Sequence, residues 1–391
     1  MSDPALIFSD GGAPEAPGVH AIVIGVGHYR HLYGGLDDET TMAGVPPVGQ
    51  LSSPPHSARA MADFLFATYH EDETRPLRTL SMLISEKQPR PYQHILAPDK
   101  TIVEATIANI RAAVRAWKAR GDSNEDNLLL FYICAHGVSA GLQHTVLASD
   151  FARDGGELFA AAIDMTEMRR AMAGCAAQQQ VYFVDACRVM AQELLMREYR
   201  GDPIIAGDGS VAPRTSPMYR PALAGDAVWA SRDAASPFCV SISNAFNGGA
   251  WKEAREGWHV STDLLTGAIR DQFKRLMWKY PSLGSDIDAD NCVPMPLKII
   301  DASARPLVPV DIECLPGAAN MTVSLQLLPE GTDEPRAVQA RDPARDTPWL
   351  LDVPMGRYRL TCSFDGNDFA TTTVDPLDVS PPSKYKLVEV G

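Results

Sequence analysis

The chain has 391 residues, of which 45% are hydrophobic, and its formal net charge is −14. This length has room for two domains, or for one large domain with insertions. The acidic balance, without any basic stretch, argues against nucleic acid as the main partner. Seven scattered cysteines with no Cys-x-x-Cys pair argue against a disulfide framework and a zinc knuckle.

The N-terminus carries no sign of a secretion signal. Its first residues, MSDPALIFSDGG, lack the basic region and the apolar core of a signal peptide. No apolar run along the chain approaches the ~18–20 residues that span a bilayer. We therefore expect a reducing, cytoplasmic location and no membrane partner.

Strand and helix patterns alternate through roughly the first 295 residues. Continuous apolar runs predict buried strands, and apolar residues at helical spacing predict helices. In chain order we expect a strand at 20–27, a Gly/Pro-rich insertion at 33–55, a helix at 57–69, a strand at 77–85 and a helix at 103–119 that Thr101 caps.

Two further apolar runs each end at a chemically reactive residue. The run LLLFYICA, residues 128–135, is followed by His136, and the run VYFVDA, residues 181–186, is followed by Cys187. Open α/β sheets place their sites at such carboxyl ends of strands. The spacing, 187 − 136 = 51 residues, leaves room for one crossover helix, so the two strands can be neighbours. A thiol beside an imidazole is the minimum for nucleophilic catalysis.

The rest of the chain falls into three parts. Residues 200–224 contain four prolines and no periodicity, which predicts a long loop. A strand at 227–231 and an amphipathic helix at 260–280 follow. Beyond residue 300, short alternating runs separated by Pro, Gly and Asp predict a small all-β sandwich. We therefore expect an α/β domain over 1–295 and a β-sandwich domain over 300–391.

At the two strand ends the chain resembles the caspase-like cysteine peptidases, the clan of caspases, metacaspases and bacterial caspase homologues. Asp-Ala-Cys-Arg at 185–188 contains the Ala-Cys-Arg core of the caspase cysteine motif. Asp185 replaces its glutamine, as in metacaspase-type motifs, and Val189 replaces its last glycine. The pair at 136–137 matches the family's His-Gly. The resemblance runs from the first strand to about residue 280, and it implies a mostly parallel sheet flanked by helices.

The resemblance also implies a reaction and roles for residues. Cys187 would be the nucleophile of a cysteine endopeptidase acting on protein substrates. His136 would act as base and then protonate the leaving amine. Gly137 and the Cys187 amide would hold the oxyanion. Bacterial relatives often act in regulated proteolysis, including defence against viruses and cell-death cascades.

Two acidic residues are candidates for the substrate pocket. Asp185 precedes Cys187 by two residues, so strand geometry places both side chains on one face. A carboxylate there attracts Arg or Lys and repels Asp, and metacaspase-like relatives use the position in this way. Asp233 is a second candidate, because it follows a segment that matches the family's substrate-cleft wall. The family's other pocket acid would fall at Ser57, where it is absent.

The loop at 200–224 corresponds to the segment that is cut when caspases mature. It carries Arg214 and Arg220 among Gly and Pro, and exposed segments of this kind are accessible to proteases. We therefore expect a zymogen cut at Arg214 or Arg220, by itself or by an upstream activating protease. A surface insertion without a regulatory role is the alternative.

Other possibilities remain open from sequence. No redox cofactor and no metal site are expected, although Asp150 and Asp154 leave calcium binding open. A catalytically inactive caspase-fold interaction module is one alternative function. An acyl transferase that uses the same cysteine and histidine is another.

Overall fold

The computed structural model describes residues 3–36, 48–140, 143–154, 157–186, 201–205, 207, 215–222, 233–279, 286–290, 292–332, 334, 336–338, 346–366 and 368–391. Its contacts divide the chain into two compact units. The first comprises Met1–Ser243 with Ser282–Met295, and the second comprises Asn244–Pro281 with Pro296–Gly391. Residues Asn244–Pro281 therefore group with the C-terminal strands, whereas the sequence predicts a single boundary near residue 295.

The described chain up to residue 222 contains the strands of the main sheet apart from one edge strand, together with three helices and several shorter strands. These are β1 (Leu6–Ser9), β2 (Val19–Val26), α1 (Ser53–Tyr69), β3 (Leu77–Ser85), β4 (Tyr92–His94), β5 (Ala97–Lys100), α2 (Ile107–Gly121), β6 (Leu128–Ala135), β7 (Gly137–Ala140), β8 (Gln143–Leu147), β9 (Ala162–Asp164), α3 (Met165–Ala171), β10 (Gln179–Ala186) and β11 (Met218–Ala222).

The second half is dominated by strands. Its elements are α4 (Pro237–Asn244), β12 (Trp251–Ala254), β13 (Gly257–Ser261), α5 (Thr262–Lys279), β14 (Asp286–Asp290), β15 (Pro296–Ile300), β16 (Leu307–Leu315), β17 (Val323–Pro329), β18 (Arg336–Val338), β19 (Trp349–Pro354), β20 (Gly356–Phe364), β21 (Thr372–Val379) and β22 (Lys384–Glu389). No helix in the described parts of the chain combines the length and the apolar content needed to cross a membrane.

The described strands of the first unit form a mostly parallel sheet in the order β1-β3-β2-β6-β10-β11-β14. The five inner strands run parallel, and the two edge strands β1 and β14 pair antiparallel. Strands β2 and β6 are buried along their whole length, which explains why their sequences are almost continuously apolar. The predicted mixed α/β fold with a mostly parallel sheet is confirmed.

Helices cover both faces of this sheet. From α2, Ile110 and Trp117 join the buried cluster that contains Ile22 and Ile24 of β2. Because strand side chains alternate, Gly25 faces the other side, where a Cβ would lie 2.4 Å from the Pro54 carbonyl oxygen of α1. Glycine therefore permits the close approach of α1 to the sheet.

The predicted start of α2 and the predicted loop at 200–224 need correction. Helix α2 begins after Thr106, whose hydroxyl caps the helix, and not after Thr101. Within 200–224, strand β11 extends the sheet, so this segment is not irregular throughout. The strand predicted at 227–231 lies outside the described residues.

The described strands of the second unit form three sheets, ordered β12-β13-β15, β19-β16-β22 and β18-β17-β20-β21. One buried cluster draws side chains from the latter two sheets, including Val310 and Ile312 of β16 and Leu325 of β17. Within this unit, Arg275 of α5 pairs with Asp311 of β16. This ion pair links α5 to the C-terminal strands.

Candidate active site

The two reactive strand ends lie on neighbouring strands and at the same level. Strands β6 and β10 pair in parallel, and their last register partners are Ala135 and Ala186. His136 follows the first of these residues directly, and Cys187 follows the second. Cys187 itself lies outside the described residues, so its place as nucleophile stays a prediction.

Both the backbone and the ring of His136 are held by hydrogen bonds. The His136 amide donates to the Tyr29 hydroxyl at 2.8 Å. The ring nitrogen Nε2 lies 2.8 Å from the Gly49 carbonyl oxygen. The Tyr29 and His136 rings also contact each other, with centroids 5.0 Å apart. The imidazole is half-buried and has a defined orientation.

The Gly49 contact decides which ring nitrogen of His136 can take up a proton. A carbonyl oxygen only accepts hydrogen bonds, so Nε2 must carry the hydrogen. In the neutral ring, Nδ1 is then the unprotonated nitrogen. Burial lowers the pKa of His136, and the hydrogen bond to Gly49 opposes this effect in part. The ring is therefore neutral, and able to act as a base, at neutral pH.

Gly137 is the first residue of β7, directly after His136. It pairs with Val146 of β8, and the His136 carbonyl accepts a hydrogen bond of 2.9 Å from the Leu147 amide. These contacts fix the turn that carries the imidazole. The role of the Gly137 amide as an oxyanion donor stays a prediction.

Asp185 is buried, with 5% of its surface exposed. Its carboxylate accepts hydrogen bonds from the hydroxyls of Tyr132, at 2.8 Å, and of Ser236. Burial raises the pKa of Asp185, and hydrogen bonds from Ser236, Tyr132 and Cys134 oppose that rise. The ion pairs seen among the described residues do not include Asp185. The structure thus places a buried carboxylate among neutral donors.

Ser236 links this carboxylate to two helices. Its hydroxyl accepts the Cys239 amide at 3.0 Å in the first turn of α4. Its own amide donates to the Ser57 hydroxyl of α1 at 2.8 Å. Ser57, the position at which the resemblance implies a second acid, therefore lies in the Asp185 network. Ser236 is not among the residues predicted for the site, although a serine before Pro237 is a recognisable helix start.

Asp233 lies in a different environment from Asp185. Its side chain is 84% exposed, and Oδ1 lies 4.0 Å from His56 Nε2. Both residues line a cavity of about 670 Å³ at the ends of β2 and β3. Gln50 and Leu51, which follow the Gly49 that binds His136, line the same cavity. The structure therefore places Asp233 in an open cavity and Asp185 in a buried network.

The two predicted processing sites have different outcomes. Arg214 lies outside the described residues. Arg220 is in β11, is 5% exposed, and pairs with Asp288 at 3.1 Å and Asp290 at 2.8 Å on β14. The expectation that Arg220 lies in an exposed loop is wrong, because these ion pairs hold its side chain inside the sheet edge.

The proposed calcium ligands also differ from each other. Asp150 is buried, and its carboxylate accepts a 2.9 Å hydrogen bond from the Ile107 amide at the start of α2. Asp154 is exposed. In the described parts of the chain, no three His, Cys, Asp or Glu side chains cluster closely enough to hold a metal ion. Asp150 thus has a structural role at the helix start.

Comparison with known proteins identifies relatives without assigning a family. No family model matches the sequence. The uncharacterized protein y4kE of Sinorhizobium fredii is 26% identical over 252 residues, which cover 62% of this chain and 70% of that protein.

Solved structures similar to this chain include two caspase structures. The crystal structure of caspase-1 from Spodoptera frugiperda has a TM-score of 0.41 at 11% identity and covers 75% of this chain and 97% of its own. The structure of pro-sf-caspase-1 has a TM-score of 0.37 at 9% identity, covering 71% and 88%. Such TM-scores add no weight, so the function proposed below depends on the residues and contacts of this chain.

Proposed function

We propose that this chain is a cysteine endopeptidase with Cys187 as nucleophile and His136 as its base. The observation that carries the proposal is that the neighbouring strands β6 and β10 end at the same level. One continues into a histidine whose Nε2 hydrogen is bound by the Gly49 carbonyl, which leaves Nδ1 as the proton acceptor. The other continues into a cysteine. A nucleophile, a base and a group that orients the base are the parts of such a site.

The reaction then follows two steps of acyl transfer. His136 takes the thiol proton at Nδ1, and the Cys187 thiolate attacks the peptide carbonyl carbon. The tetrahedral oxyanion would be held by the Gly137 and Cys187 amides. As the C–N bond breaks, His136 gives its proton to the leaving amine. Water, activated by the same imidazole, hydrolyses the thioester and restores the thiol.

We propose cleavage after Lys or Arg because Asp185 is a buried carboxylate whose observed partners are all neutral. A buried charge is costly unless a cation pairs with it. Its neighbours Tyr132, Ser236 and Cys134 supply hydrogen bonds but no charge. A basic substrate side chain would supply the missing positive charge. Asp233, at the cavity with His56, would add a second, weaker attraction.

Three further parts of the proposal depend on the resemblance. The natural substrates would be proteins in a regulated proteolytic cascade, such as one in defence or cell death. Cleavage after Arg214, by the enzyme itself or by an upstream protease, would activate a zymogen. The C-terminal strands would form a small β-sandwich that binds a substrate or a regulator, consistent with their shared buried core.

The test is incubation of the purified protein with a randomised peptide library, with the cut sites identified by mass spectrometry. We expect new N-termini after Lys or Arg, and none from Cys187→Ala protein. Asp185→Asn keeps the shape of the side chain and removes its charge, so the preference for basic residues should fall by roughly 10-fold or more. Asp164→Asn is the matched control, because Asp164 is equally buried but caps α3.

Each rival function has its own outcome. Cleavage after Asp would contradict the proposed role of Asp185 in the substrate pocket, but the assignment as a peptidase would stand. Transfer of an acyl group from a thioester, without new N-termini, would identify an acyl transferase. No cleavage, together with no labelling of Cys187 by a thiol-reactive peptide analogue, would identify an inactive interaction module.

A further inference from the structure

The side chain of Gln50 ties the segment that carries Gly49 to Tyr29. Its Oε1 accepts a hydrogen bond of 2.7 Å from the Tyr29 amide, and its Nε2 donates to the Tyr29 carbonyl at 3.0 Å. The same Nε2 also lies 3.0 Å from the Tyr33 carbonyl oxygen. The side-chain amide thus pairs with Tyr29 as a neighbouring backbone strand would.

Tyr29, the residue held by Gln50, reaches His136 directly. Its side chain is fully buried, and its hydroxyl accepts the hydrogen bond from the His136 amide. Its ring contacts the imidazole. Through Tyr29, Gln50 is therefore linked to the backbone of His136 and to one face of its imidazole ring.

Gln50 is also linked to the imidazole nitrogen Nε2 of His136, through its neighbour Gly49. Gly49, next to Gln50 in sequence, supplies the carbonyl that binds His136 Nε2. A Cβ built on Gly49 has nothing within 4 Å, although Val48 and Leu51 on either side of the Gly49–Gln50 pair pack against the buried core. On the far side of Gln50, the Leu51 amide donates to the Gly27 carbonyl at 2.8 Å. The place of the Gly49 carbonyl thus depends on the hydrogen bonds of Gln50 and Leu51, together with the packing of Val48 and Leu51.

We propose that Gln50 is a positioning residue for His136: its side-chain amide ties Tyr29 to the Gly49 segment and so holds both hydrogen-bonding partners of the histidine in place. The catalytic consequence rests on the proposed peptidase function. The structural consequence, a single tautomer of His136, does not. A glutamine that only stabilised the loop would affect folding and leave the imidazole unchanged.

The test combines ¹⁵N-histidine NMR with kinetics on Gln50→Met. Methionine has a similar length, no charge and no amide. In the wild type we expect one tautomer, with the hydrogen on Nε2, and the His136→Gln spectrum identifies the signals. In Gln50→Met the second tautomer should appear. The titration midpoint should fall, because the hydrogen bond to Gly49 favours the protonated ring.

For the peptidase, we expect kcat/KM of Gln50→Met to fall roughly 10- to 100-fold, mainly through kcat, because a displaced base costs rate more than binding. Gln180→Met is the matched control. Its side chain also donates to backbone carbonyls, those of Met172 and Ala177, in another part of the same unit. That variant should lose stability and keep the wild-type His136 signals.

Gln50→Glu is the second variant, usable if Gln50→Met does not fold. Its carboxylate still accepts the Tyr29 amide but no longer donates to the carbonyls, so the second tautomer should again appear. Folded variants with wild-type His136 signals and midpoint would overturn the proposal. If wild-type protein cleaves no peptide but Gln50→Met changes the tautomer, the positioning role stands and the peptidase assignment fails.

Discussion

Ala135 and Ala186 are register partners on the last rung between the parallel strands β6 and β10. Neighbouring strands lie about 4.8 Å apart, so chains that continue from this rung start side by side. One continues into His136 and the other into Cys187. This relationship between the two alanines is the structural basis for expecting a thiol and an imidazole that act together.

The first prediction concerns loss of that pair. We expect Cys187→Ala and His136→Ala each to lower kcat/KM by at least ~10³-fold, and the double variant to be about as slow as either. Because the two groups act as a unit, removing the second after the first costs little further rate. The measurement is the rate of cleavage of the best library peptide by each purified variant.

Cys292→Ala is the control for this series, because Cys292 is half-buried, forms no disulfide and lies outside the proposed site. It should retain the wild-type rate. Substantial activity in Cys187→Ala protein would end the assignment of the nucleophile.

The second prediction concerns pH. Burial lowers the pKa of His136 below its ordinary value of 6.5. The neutral imidazole, which is the base, therefore persists at lower pH than in a free histidine. We expect the acidic limb of the kcat/KM profile to have its midpoint below pH 6.5. Rates measured from pH 4.5 to 8 would contradict this if the limb fell above 6.5 instead.

Elements with uninterrupted apolar runs could be predicted from sequence, and the run at 128–135 is strand β6, Leu128–Ala135, in full. Burial on both faces leaves a signal in every residue of such a strand. The start of α2 could not be placed in this way. Val103 bridges to Leu83 of β3, and the Asp150 carboxylate binds the Ile107 amide. Tertiary contacts therefore keep the residues before Thr106 out of the helix.

The contacts that hold His136 in place were harder to predict from sequence. Gly49 acts through its carbonyl, 87 residues away from His136 in sequence, and a backbone carbonyl has no residue-type signature. The loop prediction at 200–224 failed for a related reason. Pro221 suggested irregular chain, but β11 pairs with β10 only through Met218 and Tyr219. Beyond that point the pairing with β10 does not need the amide that Pro221 lacks, while β14 still pairs with β11 along Met218–Ala222.

The third prediction concerns acid stability. His20 is buried beside Thr79, and burial, with smaller effects of Arg120 and Arg78, lowers its pKa from 6.5 to about 4. The unfolded chain therefore binds a proton at His20 before the folded chain does. The contribution of neutral His20 to stability is present above pH 6.5 and is lost progressively as pH falls toward 4.

Between pH 7 and pH 5 the wild type should lose about 2 kcal/mol of unfolding free energy relative to His20→Asn, which does not titrate. Urea unfolding of both proteins at the two pH values measures this difference. A difference between the two proteins that is the same at both pH values would contradict the assignment to His20.

The last prediction separates the two candidate processing arginines. Arg220 is buried and paired with Asp288 and Asp290, so a protease cannot reach its peptide bond without opening the edge of the sheet. If activation involves cleavage in this segment, we expect the cut after Arg214. Arg214→Ala should then block both the cut and the rise in activity, which N-terminal sequencing of the fragments and a parallel peptidase assay would measure.

Arg220→Ala should behave differently. It removes the cation that Asp288 and Asp290 share. We expect a loss of stability on the order of 2–3 kcal/mol, below that for a fully buried pair, because both aspartates are partly exposed and Arg169 still pairs with Asp290. Arg220→Lys, which keeps the charge, should recover part of this loss. The variant chain should still be cut after Arg214. A wild-type cut after residue 220 would contradict the buried ion pairs, and full activity of an uncut Arg214→Ala chain would exclude the zymogen.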